Sequence, residues 1–296
     1  AIAQFNLIQK KIEKDAGMAA FSKEIQAVQA EFDKLAAEYD QELSKLPTQA
    51  EKEAFLTKVL TDRSDKLVER ADPKKEGMSD AVRRDALALY SYAIARAKGF
   101  ERLHNEQIMA AIVMNYGWNI AQLATGEGKT VVGLLAALVS SLSGDGSFIV
   151  TTKDASAVDG YVDVGQRVGR LVGRTVGVVQ DKDYQRDAQG NAKIVKKEVV
   201  STGKQMEGAA KRAEYLKNVT YVSINNWAFD TSNDLLEVRP GQDQAKIIAR
   251  EMSKVSVIID EIDSVLLDQA MTSFIRSSGQ GKADPATANR RTWFAR

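Results

Sequence analysis

The feature that most constrains this chain is a glycine loop, Leu-Ala-Thr-Gly-Glu-Gly-Lys-Thr, followed at once by the apolar run Val-Val-Gly-Leu-Leu-Ala-Ala-Leu-Val. A strand, such a loop and an apolar helix together present backbone N–H groups and a helix N-terminus to a phosphate. Gly126 and Gly128 allow the backbone to approach a phosphate closely. Lys129 can reach the β- and γ-phosphates, and the Thr130 hydroxyl can bind Mg²⁺. The general pattern has another glycine six positions before the lysine, and the leucine found here is typical of the helicase variant.

A second candidate site element is the segment Val-Ser-Val-Ile-Ile-Asp-Glu at residues 255–261. Its aliphatic residues predict a buried strand that ends at Asp260 and Glu261, and ligands bind at this edge of a parallel sheet. In phosphate-loop enzymes an acid here holds Mg²⁺, and the next carboxylate orients or deprotonates water. Alone, such a pair is more often a helix N-cap. With the glycine loop upstream, it predicts a catalytic site.

Beyond about residue 100, short apolar runs alternate with helical patterns. A helix is predicted over 162–173, and strands are predicted over 119–123, 147–152, 175–180, 218–224 and 255–260. Strands separated by helices predict a parallel sheet with helices on both faces. In the polar stretch 181–217, Gln189-Gly190-Asn191 predicts a hairpin tip. We interpret the lysines of this stretch as a solvated face rather than a contact surface.

Residues 1 to about 99 are predicted to be helical. An apolar stripe with alternating spacings of four and three runs from Phe21 to Tyr39, with charged residues between. Further helices are predicted over 49–70 and over 80–98, the second capped by Ser79. Two interpretations of the stripe stay open. The favoured one is packing against the rest of this chain, and the other is a coiled coil with a helical partner.

Composition excludes several classes of protein. The chain has no cysteine, which excludes disulfides and thiolate metal sites and fits a reducing compartment. Its one histidine, His104, argues against a histidine-built metal site or a Ser-His-Asp triad. A formal net charge of +1 creates no field that attracts nucleic acid or an acidic membrane. No apolar run reaches the roughly 18–20 residues of a membrane span, and the first residues lack the order of a signal peptide.

Three segments resemble the SecA preprotein translocase ATPase family. Residues 102–130, RLHNEQIMAAIVMNYGWNIAQLATGEGKT, are similar to the stretch that runs from the family's adenine-reading glutamine into its phosphate loop. Residues 218–236, NVTYVSINNWAFDTSNDLL, resemble the family segment rich in Thr-Tyr, Asn-Asn and Phe-Asp. Residues 260–279, DEIDSVLLDQAMTSFIRSSG, resemble the family signature after the acid pair. The resemblance spans about residues 80–279 and preserves the order of the motifs.

The resemblance implies a RecA-like α/β motor domain over 79–279. An all-helical region over 1–78 precedes it, and a linker or the start of a further domain over 280–296 follows. It also implies ATP or ADP with Mg²⁺ as ligands. The implied nucleotide-binding residues are Gln107, which reads adenine, and Thr125, Gly126, Glu127, Gly128, Lys129 and Thr130. Mg²⁺ is expected between Thr130 and Asp260, and the implied catalytic residues are Lys129 and Glu261, the latter positioning the attacking water.

The family drives unfolded protein through a membrane channel. The resemblance therefore implies an unfolded protein substrate, a membrane protein channel, and a location in the cytoplasm or peripherally at the membrane. It also implies two motor lobes, of which the second supplies catalytic arginines. Since nothing in residues 1–296 resembles that lobe, we expect this chain alone to hydrolyse ATP slowly.

The chain departs from the family at several positions. Gln269, Met271 and Ser273 stand where the family usually has glutamate, arginine and proline, and no arginine precedes Asp234. These changes put the coupling to a protein substrate in doubt. One alternative is a nucleic-acid helicase of the same superfamily, against which stand the near-zero net charge and the SecA-like signature. The other is a nucleotide-responsive scaffold whose N-terminal helices bind a partner.

Overall fold

The structure is a computed structural model that describes residues 16–72, 74, 77–116, 119–144, 146–236 and 246–265. The chain divides into two compact units, Ala1–Glu261 and Ile262–Arg296, and every element described below belongs to the first. That unit contains both the predicted helical region and most of the predicted motor domain, and the boundary after residue 78 stays a prediction. The departures at Gln269, Met271 and Ser273 and the segment 280–296 lie outside the described residues.

Three long helices form the N-terminal part, and their ends follow from local capping. They are α1 (Ala16–Lys45), α2 (Gln49–Ala71) and α3 (Asp80–Lys98). Thr48 and Glu51 form a reciprocal capping box that starts α2. The Ser79 hydroxyl accepts from the backbone N–H of Val82 at 3.2 Å and starts α3. Gly99, with φ 73°, ends α3 in the left-handed conformation that favours glycine.

The apolar stripe of α1 packs within this chain. Val28, Phe32, Leu35 and Tyr39 are buried, and the Phe32 ring meets the Tyr92 ring of α3 edge-on, with centroids 5.6 Å apart. The favoured interpretation of the stripe is therefore confirmed.

Within the described residues, no helix is long and apolar enough to cross a membrane.

The remaining elements form an α/β architecture. Helical segments are α4 (Asn105–Met114), α5 (Lys129–Ser140), α6 (Asp154–Gly160), a π-helical segment (Tyr161–Gly165), α7 (Gln166–Leu171), α8 (Gly208–Tyr215), α9 (Ile224–Leu236) and a 3₁₀ turn (Met252–Lys254). Strands are β1 (Ser147–Thr151), β2 (Val176–Val179), β3 (Lys182–Tyr184), β4 (Ile194–Val195), β5 (Glu198–Val199), β6 (Ser201–Gln205), β7 (Val219–Ser223) and β8 (Ser256–Ile259). Strands β2, β7, β1 and β8, in that order, form a parallel sheet surrounded by helices. The predicted RecA-like α/β fold is confirmed.

The strand predicted over residues 119–123 does not form. These residues have no regular secondary structure, and Ile120 is 75% exposed. The Asn119 side chain instead donates to the carbonyl oxygen of Val113 at 2.9 Å, near the end of α4. Ile120 is also the only β-branched residue of the segment, so its preference for a strand is weak. The glycine loop therefore follows an irregular segment.

The polar stretch 181–217 contains the predicted hairpin tip. Strands β3 and β6 pair antiparallel, as do β4 and β5. The Asp187 carboxylate accepts from the backbone N–H groups of Gln189 and Asn191, at 3.0 and 2.9 Å, and closes the turn at Gly190. Lys182, Lys193, Lys196, Lys197 and Lys204 are exposed, which fits the solvated face. Two other lysines are paired, Lys211 with Asp230 at 2.9 Å and Lys217 with Glu214 at 2.8 Å.

Candidate functional site

A cavity of about 330 Å³ lies at the carboxyl ends of β1 and β8. It is lined by Thr130, Thr151, Thr152, Ser156, Asp159, Gly160, Asp163, Asp260 and Glu261. Thr130 belongs to the first turn of α5, whereas Asp260 and Glu261 directly follow β8. The fold thus brings the end of the glycine loop together with the acid pair, as expected for the carboxyl edge of a parallel sheet.

The glycine loop folds into a tight turn before α5. Gly126 and Gly128 have φ values of 88° and 81°, which glycine adopts without strain. Glu127 closes the turn from both sides: its backbone N–H donates to the Ala124 carbonyl at 3.2 Å, and its carboxylate accepts from the Ala124 N–H at 2.8 Å. Thr125, Gly126 and Glu127 are exposed. This loop is therefore accessible to a ligand, with the N-terminus of α5 behind it.

Gln107 of α4 lies directly against the glycine loop. Its side chain is buried, with the residue 7% exposed. The amide nitrogen donates to the carbonyl oxygen of Glu127 at 2.8 Å, and the amide oxygen accepts from the backbone N–H of His104 at 3.0 Å. A glutamine amide has two donors and two lone pairs, so one of each is left. The structure thus gives Gln107 a contact to the loop, and its reading of adenine stays a prediction.

Asp260 lies in a partly buried, electrostatically coupled position. Its backbone N–H donates to the carbonyl oxygen of Val150 at 2.8 Å and continues the ladder between β8 and β1. Burial raises the pKa of its carboxyl, and the negative charge of Glu261 adds to this rise. The backbone N–H of Glu261 and the positive charge of Lys129 act in the opposite direction. Burial outweighs these two effects, so the net shift of the Asp260 pKa is upward.

Glu261 has an unusual backbone conformation. Its φ of 54° places a non-glycine residue in the left-handed region, at a cost of about 1–3 kcal/mol. Its backbone N–H donates to Asp260 Oδ1 at 2.9 Å, and its Oε2 accepts from the Thr152 hydroxyl at 3.3 Å. Strain of this kind clusters at functional sites. The turn thus places two carboxylates at the cavity, one partly buried and one exposed.

The donor set fits Mg²⁺ bound together with phosphates. Among the described residues, no group of three or more histidine, cysteine, aspartate and glutamate side chains is arranged to hold a metal ion. Thr130 and Asp260 offer one hydroxyl and one carboxylate at the same cavity. Mg²⁺ usually takes one or two protein carboxylates and completes its shell with waters and substrate phosphates. The hydroxyl of Thr130 and the carboxylate of Asp260 therefore fit such an ion, and their binding of Mg²⁺ stays a prediction.

The cavity is lined by further polar residues that were not predicted from the sequence as site residues. Thr151 ends strand β1 and Thr152 follows it, and the rule that ligands bind at strand ends could have identified both. Asp159 and Asp163 lie on α6 and the π-helical segment, and no sequence signal marked them. Lys98 Nζ bonds both carboxylate oxygens of Asp163, at 2.7 and 2.8 Å. The last residue of α3 thus contacts a residue of the cavity.

The segment 218–236 forms a polar network beside the cavity. The Asp154 carboxylate accepts from the Ser223 hydroxyl and from the Asn226 amide, the latter at 2.8 Å. Lys211 Nζ bonds Asn226 and Asp230 at 2.9 Å each. Burial raises the pKa of Asp230, and Lys211 opposes this rise. These contacts join α9 to α6 and α8.

Asp234, the other acid of this segment, binds backbone groups. Its two carboxylate oxygens accept from the N–H groups of Ile247 and Ile248 at 2.7 and 2.9 Å. It thereby fixes the chain that leads toward β8.

Comparison with known proteins shows the family. The SecA DEAD-like domain model matches residues 6–294. A protein translocase subunit SecA from Carboxydothermus hydrogenoformans is 33% identical over 211 residues, which are 70% of this chain and 20% of that protein. SecA subunits from Treponema denticola and Mesoplasma florum are 33% and 32% identical, over 65% and 66% of this chain and 18% of each relative. The chain thus spans about a fifth of the length of these relatives. With the model matched over nearly its whole length, the chain belongs to the SecA DEAD-like domain family.

Proposed function

We propose that this chain is an ATP-binding and ATP-hydrolysing motor domain of a SecA-like protein translocation ATPase. The observation that carries the proposal is that Thr130, at the end of the glycine loop, lines the same cavity as Asp260 and Glu261. A hydroxyl at a helix N-terminus and two carboxylates at a strand end are the groups that phosphate-loop enzymes use on a nucleotide with Mg²⁺.

The ground state is held by the loop and by Lys129. The N–H groups of residues 125–130 and the N-terminus of α5 face the phosphates, and the Lys129 ammonium neutralises their charge. Thr130 and Asp260 hold Mg²⁺, which supplies further charge neutralisation when it is bound. Gln107 stabilises the loop through the Glu127 carbonyl, and its remaining amide groups read the adenine edge.

Glu261 acts on water rather than on the nucleotide. Its carboxylate lines the cavity next to Asp260, and a carboxylate there can accept a proton from an attacking water or hold the water in line. Charge that develops on the transferring phosphoryl group needs arginines. We expect a second motor lobe to supply them, so hydrolysis by residues 1–296 alone should be slow.

The relatives are protein translocase subunits, which supports an unfolded protein as substrate and a membrane protein channel as partner. It also supports a location in the cytoplasm or peripherally at the membrane. In the helicase alternative, single-stranded RNA rather than an unfolded polypeptide stimulates ATP turnover by the full-length protein. In the scaffold alternative, nucleotide binds without turnover.

Isothermal titration with Mg²⁺ and ADP tests the binding step. Lys129→Ala should abolish binding, because the ammonium neutralises phosphate charge in the ground state. Lys204→Ala is the matched control, since Lys204 is an exposed lysine on β6, and it should bind like the unchanged chain. In the full-length protein, Glu261→Gln should keep ATP bound but unhydrolysed. Equal affinity of Lys129→Ala and the unchanged chain would overturn the proposed site.

Single-turnover hydrolysis tests the expectation of slow chemistry. The rate of residues 1–296 should fall below that of the full-length protein by about 10³-fold or more, the value of an arginine finger. A rate within a few-fold of the full-length rate would show that the catalytic arginine lies within this chain.

A further inference from the structure

The pose of the Glu261 carboxylate determines whether it can orient a water. Glu261 is exposed and follows β8 in a left-handed conformation. A long side chain in such a position loses rotamer entropy when it is fixed, by up to about 2 kcal/mol. A group that acts on water has to be held within about 0.5 Å of its productive position. A neighbouring group must therefore hold this carboxylate.

Thr152 provides such a group. Its hydroxyl donates to Glu261 Oε2 at 3.3 Å. Thr152 is 6% exposed and β-branched, so its own side chain has little freedom. It also lines the cavity together with Glu261. A hydrogen bond from a rigid, buried hydroxyl can hold a flexible, exposed carboxylate in one position.

The backbone sets this contact. Strands β1 and β8 pair in parallel, with Val150 opposite Ile259. The hydrogen bond from the Asp260 N–H to the Val150 carbonyl continues the pairing beyond β8. Thr152 and Glu261 therefore follow the paired strands at the same level. Their contact results from the register of β1 against β8, which is strongly specified because β1 is buried along its whole length.

The adjacent threonine has a different partner. The Thr151 hydroxyl donates to the carbonyl oxygen of Lys153 at 2.9 Å, and so stabilises the turn from β1 into α6. Of these two neighbouring threonines, Thr152 is the one whose hydroxyl donates to the Glu261 carboxylate.

We propose that Thr152 is a positioning residue whose hydroxyl orients the Glu261 carboxylate toward the attacking water. The bond occupies Oε2 and leaves Oε1 to accept from that water. Thr152 keeps its own proton throughout, and the proton of the water passes to Glu261. The inference rests on the proposed hydrolysis of ATP at this cavity.

Single-turnover ATP hydrolysis, with protein in excess over labelled ATP, tests this role even at slow rates. Thr152→Val should lower the rate constant about tenfold, which is the kinetic equivalent of one charge-assisted hydrogen bond. Its affinity for Mg²⁺ and ADP should stay unchanged, because the contact acts on water. Thr152→Ser should restore most of the rate.

Thr220→Val is the matched control. Thr220 is a buried threonine on β7 whose hydroxyl donates to the Glu214 carbonyl at 2.7 Å. That carbonyl also accepts from the Lys217 N–H, so the same chemical change leaves it with a partner. The single-turnover rate of ATP hydrolysis by Thr220→Val should equal that of the unchanged chain.

Three outcomes separate this inference from the proposed function. If Thr152→Val hydrolyses ATP like the unchanged chain, the positioning role is wrong and the proposed function stands. Loss of ADP affinity together with rate would make Thr152 a structural residue. An unchanged chain that neither binds ADP nor hydrolyses ATP would overturn both proposals.

Discussion

Gln107 and Glu127 join helix α4 to the glycine loop through a single hydrogen bond of 2.8 Å, from the side-chain amide of one to the backbone carbonyl of the other. Gln107 is buried, and its amide oxygen also accepts a hydrogen bond from the backbone N–H of His104. Whatever the loop binds, its backbone is therefore held from behind by α4.

Gln107→Ala should weaken binding of Mg²⁺ and ADP about tenfold, because it removes a buried hydrogen bond that orders the loop. It should also remove a preference for ADP over GDP, since the remaining amide groups are the predicted reader of adenine. Isothermal titration of both nucleotides measures the two effects separately. Equal affinity of the unchanged chain for ADP and GDP would leave Gln107 with the loop contact alone.

Gly128→Ala should destabilise the loop more than Gly126→Ala. Both glycines have a positive φ, so each alanine brings backbone strain of about 1 kcal/mol. A Cβ on Gly128 would also lie 2.5 Å from Gln107 Nε2, whereas a Cβ on Gly126 would meet nothing within 4 Å. Urea unfolding and ADP titration of the two variants check this order. Equal losses would mean that the Gln107 contact does not constrain Gly128.

Gly160→Ala should lower the free energy of unfolding by about 1–3 kcal/mol, the usual effect of overpacking. Its Cβ would lie 2.7 Å from the ring of Tyr221, which is buried in β7. The control is Gly133→Ala in α5, where a Cβ meets nothing within 4 Å and alanine should stabilise the helix by about 0.5–1 kcal/mol. Urea unfolding compares the two variants. A neutral Gly160→Ala would show that the Tyr221 ring can move.

Asp260→Asn should have a higher free energy of unfolding than the unchanged chain at pH 7. At pH 4 the difference between the two proteins should be smaller. Burial raises the pKa of Asp260 in the folded chain, so the folded state binds more protons than the unfolded state between the two pKa values. The stability that this carboxyl contributes is present below its unfolded pKa and is lost as pH rises through its folded pKa. Urea unfolding of both proteins at the two pH values measures the difference. A difference that is independent of pH would contradict the raised pKa.

Much of the site could be predicted because few chain geometries are compatible with its motifs. A glycine loop that opens a helix and an acid pair that ends a buried strand both belong at the carboxyl edge of a parallel sheet, and the cavity brings Thr130 to Asp260 and Glu261. The helix ends at Thr48 and Ser79 were equally predictable, because capping depends on residues within one turn.

Other features depend on contacts that a local pattern does not record. The sequence of 119–123 predicts a strand, but none forms there, and the Asn119 side chain donates to the carbonyl oxygen of Val113. The hairpin turn at Lys196 and Lys197 has φ values of 50° and 65°, where glycine or asparagine would be the usual signal. The role of Thr152 depends on the register of β1 against β8. Thr152 and Glu261 are 109 positions apart in the sequence, so no local pattern reports their contact.

Helix α3 is buried on every side from Ala86 to Ala95. It contacts α1 and α2 as well as α5 and α7. A protease cut or a gene truncation after residue 78 would remove α1 and α2, and with them the partners of Tyr90 and Tyr92. Such a fragment should bind apolar dyes and precipitate unless another apolar surface replaces the missing helices. Helices α1 and α2 are therefore a folding partner of the α/β part of the chain rather than an arm attached to it.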